Sequence, residues 1–130
     1  MRRLQTRAQF QAALSGTTVA RTAHFALHRC ALDAPAGGPA ASLFHPSDVW
    51  LGAMVPKRWA RRAVTRNAIR RQIYAVSGGA DVALPMAAHV VRLRAGFDRS
   101  QFVSATSEQL KRAVRGELQQ LFARAARVPA

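Results

Sequence analysis

The 130-residue sequence predicts a small α/β domain, because the spacing of its apolar residues changes along the chain. Residues 19–32 alternate apolar and polar side chains, which is typical of a strand with two unlike faces. Residues 49–55, VWLGAMV, are apolar throughout, as in a buried strand. Residues 63–76 instead repeat their apolar side chains with helical spacing. We therefore expect elements in the order α, β, β, α, β, α within one domain over residues 1–130.

The first helix is predicted from local signals near the N-terminus. Thr6 and Gln9 have the spacing of a capping box, in which hydroxyl and amide satisfy each other's free backbone groups. Phe10 and Leu14 share one face of the helix that follows, and Gly16 is a stop signal.

The strand predicted within residues 19–32 has two faces of different chemistry. Phe25 and Leu27 point to one side, which we expect to face the core. The other side carries His24, Ala26, His28 and Cys30. Three of these are zinc-ligand types, but structural zinc takes four ligands in recognised spacings, so we favour a strand face without a metal.

The later elements are bounded by Pro, Gly and hydroxyl residues. Residues 33–48 are rich in Pro and Gly and predict a projecting loop. The helix over residues 63–76 is closed by Gly78 and its neighbour, and residues 88–94, AHVVRLR, predict another strand. The last helix is expected to open at a Ser or Thr within residues 104–107.

The charge of the chain points to a polyanionic partner. Lys and Arg number 20 against 6 Asp and Glu, which gives a formal net charge of +14, and 18 of these cations are Arg. Arg suits phosphate because its planar fork donates parallel hydrogen bonds, and it also stacks on bases. Cys30 is the one cysteine, and we find neither a signal peptide nor an apolar run that would span a bilayer. We therefore expect a cytoplasmic protein that does not enter a membrane.

The helix over residues 63–76 has one apolar face and one basic face. The apolar face holds Val64, Thr65, Ala68, Ile69, Ile73 and Val76. The basic face holds Arg66, Asn67, Arg70, Arg71 and Tyr74, and the loop before it adds Lys57, Arg58, Arg61 and Arg62. Solvated faces mix charges of both signs, whereas no acid occurs between Val49 and Ala80. Phosphate binding explains this single sign better than an anionic lipid surface does, because the apolar face lacks an aromatic anchor.

Residues 63–71, AVTRNAIRR, resemble the signature of the bacterial ribonuclease P protein component. That signature reads Ala-Val-x-Arg-Asn-Arg-Ile-Lys-Arg and follows a strand that ends in two basic residues, which Lys57-Arg58 supply here. Arg3-Leu4 near the N-terminus and the late strand VVRLR, residues 90–94, extend the likeness over residues 2–124.

The resemblance implies a fold of the α/β (α+β) class. It is a small two-layer sandwich with a four-stranded sheet, about three helices and a left-handed β-α-β crossover, as in the second domain of a ribosomal small-subunit protein. The whole chain would then be one ribonuclease P protein domain with its core over residues 2–124, a loop at 33–48 and a tail at 125–130.

The resemblance also implies a protein subunit that joins a catalytic RNA to remove the 5′ leader from precursor tRNA. The RNA would perform the hydrolysis with Mg²⁺ that it mainly holds itself. The protein would be a monomer when free and would bind one RNA. The residues expected to bind this RNA are Lys57, Arg58, Arg61, Arg62, Arg66, Asn67, Arg70, Arg71 and Tyr74. The residues expected to line a cleft for the leader are Phe10, Leu14, Ala26, His28 and Arg94.

Among the positions that depart from the family pattern, four bear on contacts to RNA. Ala68 stands for the second Arg of the signature and Tyr74 for a later basic residue, so contacts to the RNA are missing there or replaced by stacking. Leu14 stands where a second Phe is common in the cleft, and His28 where Tyr is common. Aromatic stacking on the leader therefore depends mainly on Phe10.

The sequence contains no recognisable catalytic machinery of its own. Its six acids form no DxD or ExxE pair, and neither a Walker loop nor a GxGxxG motif occurs. We therefore expect no catalytic and no metal-binding residue in this chain. The alternative that remains is a ribosomal or general RNA-binding structural protein with a similar fold.

Overall fold

A computed structural model of the chain describes residues 1–32, 43–97 and 108–127. In these ranges five strands form one mixed sheet on which three helices pack. The strands are β1 Arg2–Arg3, β2 Thr17–Arg21, β3 Phe25–Cys30, β4 Trp50–Met54 and β5 Ala88–Leu93. The helices are α1 Arg7–Leu14, α2 Ala63–Ser77 and α3 Glu108–Ala126. The α/β class is confirmed, and the two-residue β1 adds a fifth strand to the four that were expected.

The strands follow the order β1-β4-β5-β3-β2 across the sheet. β4 pairs parallel with both β1 and β5, whereas β3 pairs antiparallel with both β5 and β2. Since α2 joins the parallel neighbours β4 and β5, the expected β-α-β connection is present. The hand of this connection stays a prediction.

Alternation along the strands divides the apolar side chains between two cores. Val91 and Leu93 of β5 pack with the buried residues of α2 and α3, and this side is the α2–α3 face of the sheet. Ala88 and Val90 pack with Ala13 of α1, and this side is the α1 face. Phe25 and Leu27 lie on the α2–α3 face with no exposed surface, as expected.

The single strand expected within residues 19–32 is in fact the hairpin of β2 and β3. The chain reverses at a turn in which the Thr22 N–H donates to the carbonyl of Phe25 at 2.9 Å. The reversal separates His24 from the face that it was expected to share with His28. His24 instead bonds to Glu117 of α3, which accepts from its backbone N–H and from Nδ1, both at 2.7 Å.

The predicted start and end of α1 are confirmed. Thr6 and Gln9 form the capping box in both directions. A Cβ on Gly16 would collide with the carbonyl of Arg29 in β3, so glycine lets the chain pass close to the sheet after the helix.

The loop predicted at residues 33–48 does not project over its whole length. Phe44 is buried and meets the ring of Trp50 edge-on with the centroids 6.0 Å apart. Gln9 Nε2 donates to the carbonyl of Leu43 at 2.8 Å, which ties this part of the loop to α1. Residues 33–42 and the expected helix start at 104–107 lie outside the described residues. Within the described ranges, no helix has the length and apolar character that crossing a membrane requires.

Candidate nucleic-acid interface

α2 is held on the sheet by its apolar side and turns a basic side to solvent. Ile69, Ile73 and Val76 are buried in the core of the α2–α3 face, whereas Asn67 and Arg71 are exposed. The predicted division of this helix is therefore confirmed for these residues. The opposite sides of one short helix thus perform different tasks, one docking the helix and one facing outward.

The basic surface is the set of polar residues on α2 and in the loop before it. Its members are Lys57, Arg58, Arg61, Arg62, Arg66, Asn67, Arg70 and Arg71. Among the residues that the structure describes, no carboxylate lies within ion-pair distance of any of its cations. Arg58 is placed over the exposed ring of Trp59, with its guanidinium carbon 5.4 Å from the ring centroid. This unpaired positive charge is what a phosphate-binding surface requires.

Arg66 and Arg70 are not free side chains on this surface. Arg66 Nη1 donates to the carbonyls of Ala60 at 3.0 Å and Arg61 at 2.7 Å, and Arg70 Nη1 donates to Asn67 Oδ1 at 3.2 Å. Arg66 therefore contacts the preceding loop from its place on the basic side of the helix. The N-cap residue of α2 makes no side-chain capping bond, so Arg66 is the side chain that ties the helix to the preceding loop.

We expect Arg66→Ala to lower the free energy of unfolding by about 1 kcal/mol, because two charge-assisted hydrogen bonds to the loop are lost. Arg71→Ala is the matched control, since it removes the same charge from an exposed position of the same helix. Urea unfolding of both variants measures the difference. Equal stability of the two variants would show that the Arg66 bonds do not hold the loop.

Tyr74 does not present a free ring to a base. Its hydroxyl accepts a hydrogen bond from the Ala53 N–H of β4 at 3.3 Å, and the ring is half-buried. The guanidinium carbon of Arg3 lies 3.9 Å from the ring centroid, so one ring face is already covered. Stacking of Tyr74 on a base stays a prediction, and in the structure one face of the ring forms an internal cation–π pair with Arg3.

The residues expected to line the leader cleft differ widely in exposure. Phe10 and Leu14 are half-buried on α1, where the Phe10 ring packs so closely on Gly52 that a Cβ there would lie 2.5 Å from it. Ala26 has no exposed surface, and in register it stands opposite Arg21 and Arg92. Ala26 therefore offers no surface to a ligand, and the two arginines flank the position that it was expected to fill.

His28 belongs to a hydrogen-bonded chain on the α1 face. Arg92 Nε donates to His28 Nε2 at 3.2 Å, and His28 Nδ1 lies 3.1 Å from Thr18 Oγ1. Because the arginine can only donate, the histidine proton is on Nδ1 and goes to Thr18. Burial lowers the pKa of His28, and the charges of Arg92 and Arg21 lower it further. His28 is therefore neutral at pH 7, and the positive charge beside it comes from the arginines.

Arg92 and Arg21 were not among the predicted site residues. Strand alternation in residues 90–94 places Arg92 on the α1 face, so this signal was present in the sequence. Arg94, which was predicted, is exposed at the end of β5, where its Nη1 donates to the carbonyls of Thr22 at 2.9 Å and Ala23 at 3.1 Å. Arg94 thus supports the β2–β3 turn.

The described carboxylates do not form a metal or acid–base site. Asp48 lies near the N-terminal amine and Arg2, Glu108 pairs with Lys111, and Glu117 is engaged by Thr22 and His24. No group of three potential metal ligands occurs in residues 1–32, 43–97 or 108–127. The residues present in these ranges therefore do not suit a Mg²⁺ site built by the protein alone.

Known proteins resemble this chain in sequence and in fold. The family model described as Ribonuclease P matches residues 1–125. The ribonuclease P protein component of Bordetella parapertussis is 37% identical over 125 residues, which is 96% of this chain and 92% of that protein. That of Burkholderia pseudomallei is 34% identical over 114 residues, with coverage of 82% and 69%. The RNase P protein of Staphylococcus aureus shares the fold with a TM-score of 0.66 at 18% identity, over 95% of this chain and 94% of that one.

Proposed function

This chain belongs to the ribonuclease P protein family, and we propose that it binds the catalytic RNA of that ribonucleoprotein through the basic surface. The observation that carries the proposal is the unpaired charge of this surface in the described part of the chain. Exposed arginines that lack carboxylate partners lose little when they bind phosphate, and each phosphate they neutralise releases condensed counterions.

The same proposal assigns the 5′ leader of precursor tRNA to the α1 face. Phe10 and Leu14 on α1 offer apolar surface, and Arg21 and Arg92 offer charge on strands of the same face. A single strand is held by such a combination, because bases stack on aromatic rings while cations follow the backbone. We assign the exposed Arg94, just after β5, to the same ligand, and the neutral His28 accepts a hydrogen bond from Arg92.

In this proposal the RNA carries out the cleavage. Three of the four described acids, Asp48, Glu108 and Glu117, are dispersed and engaged with neighbours, which supports a chain that positions RNA and contributes charge. Mg²⁺ supplies charge stabilisation to phosphodiester hydrolysis, and we assign its ligands mainly to the RNA. One protein per RNA, a monomeric free protein and a cytoplasmic location stay predictions.

The test is the processing of a precursor tRNA by the cognate catalytic RNA, at low Mg²⁺, with and without this chain. We expect the chain to accelerate leader removal, because its cations substitute for part of the Mg²⁺ that screens the RNA phosphates. Cleavage that is equally fast without the chain would contradict the proposal. It would favour the alternative of a general RNA-binding structural protein, which binds RNA without stimulating the cut.

A further inference from the structure

The two arginines of the short edge strand β1 lie on opposite faces of the sheet. Arg2 lies on the α1 face, with its guanidinium 6.0 Å from the Trp50 ring and its Nε 3.6 Å from Asp48. Arg3 lies on the α2–α3 face, where it covers the ring of Tyr74. In the described residues no carboxylate lies within ion-pair distance of Arg3. Arg2 thus has a carboxylate partner among the described residues, and Arg3 does not.

Tyr74 holds Arg3 in line with two arginines of α2. Arg66, Arg70 and Tyr74 are spaced by four residues, so their side chains form one row along the helix. All three are half-buried, which places the row where the exposed side of α2 meets the sheet. With Arg3 on the Tyr74 ring, a guanidinium occupies the third position of this row although the helix carries no cation there.

The contact between Arg3 and Tyr74 fixes the position of the Arg3 guanidinium. The Tyr74 hydroxyl is fixed by the Ala53 N–H, so the ring has a defined orientation. A guanidinium that lies over a ring still has N–H groups available for a phosphate. The stacking also restricts the long arginine side chain before it binds, which lowers the entropy lost on binding.

We propose that Arg3 is a phosphate ligand of the RNA-binding surface and that Tyr74 is its positioning residue. The inference rests on the proposed function, because the phosphate belongs to the RNA that the basic surface binds. It extends that surface from α2 across to the first strand of the sheet. The ligand chemistry is an RNA backbone phosphate, which a planar guanidinium recognises through two parallel hydrogen bonds.

The test measures how the affinity for the cognate catalytic RNA changes with salt. We expect Arg3→Ala to reduce the slope of log affinity against log salt by about 0.7 to 0.9, the value for one phosphate contact. Arg2→Ala is the matched control, since it removes the same charge from the adjacent residue and should leave the slope unchanged. Tyr74→Phe keeps the ring and should retain most of the effect of Arg3, whereas Tyr74→Leu should lose it.

A double-mutant cycle separates positioning from a merely structural role. If Tyr74 acts through Arg3, Tyr74→Leu reduces the slope in the native chain but not in the Arg3→Ala background. Equal slopes for Arg2→Ala and Arg3→Ala would overturn the inference. The inference would also be overturned if Arg3→Ala left the slope unchanged while a separate variant that replaces Arg61, Arg62 and Arg71 lowered it. The proposed function would then stand. If neither replacement lowers the slope, the proposed function fails with it.

Discussion

Replacing Arg61, Arg62 and Arg71 by Gln should lower the salt dependence of RNA binding by about two to three units of slope. These three side chains are exposed members of the basic surface, and none forms an ion pair with a described carboxylate. Each phosphate contact that is lost leaves one condensed counterion in place, so the slope changes by about 0.7 to 0.9 per arginine. A salt titration of holoenzyme assembly, followed by filter binding or fluorescence, measures this.

The control for this variant has the same change of net charge at another place. Arg112, Arg115 and Arg127 are exposed in or just after α3, and their replacement by Gln also takes the formal charge from +14 down by three to +11. A local binding site predicts that this second triple variant keeps the native slope. If both triple variants lower the slope equally, the RNA is attracted by the overall charge of the protein and the basic surface is not a site. Neither variant should unfold the protein, since both reduce self-repulsion.

Features that depend on nearby residues were predictable from the sequence. The capping box of α1 joins Thr6 and Gln9, and the end of α2 is set by Gly78, so each is readable within a few positions. The β2–β3 hairpin was not predictable in this way, because its turn contains none of the usual Gly, Pro or Asn residues. Its polar groups are bonded instead by Glu117 and Arg94, which are distant along the chain.

The part of the candidate site that was predictable from the sequence also depends on residues that are close along the chain. The basic surface was predictable because every charged side chain on α2 and in the loop before it is positive. This pattern lies within one continuous segment of the sequence. The internal partners of its residues did not follow from the pattern. Arg3 reaches Tyr74 only because β1 pairs with β4, and a two-residue strand has too few positions to show a period. Contacts of this kind are consequences of tertiary structure.

We expect the free energy of unfolding to fall by about 3 kcal/mol between pH 6.5 and pH 4 because of His89 alone. This residue of β5 has no exposed surface, and burial lowers its pKa to about 4, with a smaller contribution from the charge of Arg29. Arg29 Nε donates to Nδ1 at 3.2 Å, so the proton is on Nε2, which lies 3.0 Å from the carbonyl of Pro85. A second proton on Nδ1 would break the bond to Arg29 and bring two cations together.

The sign of the effect follows from the two states. Below pH 6.5 the unfolded chain binds a proton at this histidine, whereas the folded chain does not until about pH 4, so acid favours unfolding throughout that interval. Above pH 6.5 both states hold a neutral imidazole, and the contribution of His89 to stability is complete. The lowered pKa of His28 acts in the same direction, and carboxylates add their own dependence at the acid end. A variant that changes only residue 89 is therefore needed to isolate this histidine.

His89→Gln keeps one amide donor for the Pro85 carbonyl and one oxygen acceptor for Arg29, but it does not titrate. Urea unfolding across this pH interval should show the native chain losing stability relative to the variant as the pH falls. His45→Gln removes an exposed histidine and should follow the native curve. If His89→Gln instead runs parallel to the native chain from pH 7 to pH 4, the buried imidazole takes up its proton without cost. The hydrogen bond from Arg29 to the neutral His89 would then not be what acid disrupts, and other groups would have to account for the loss.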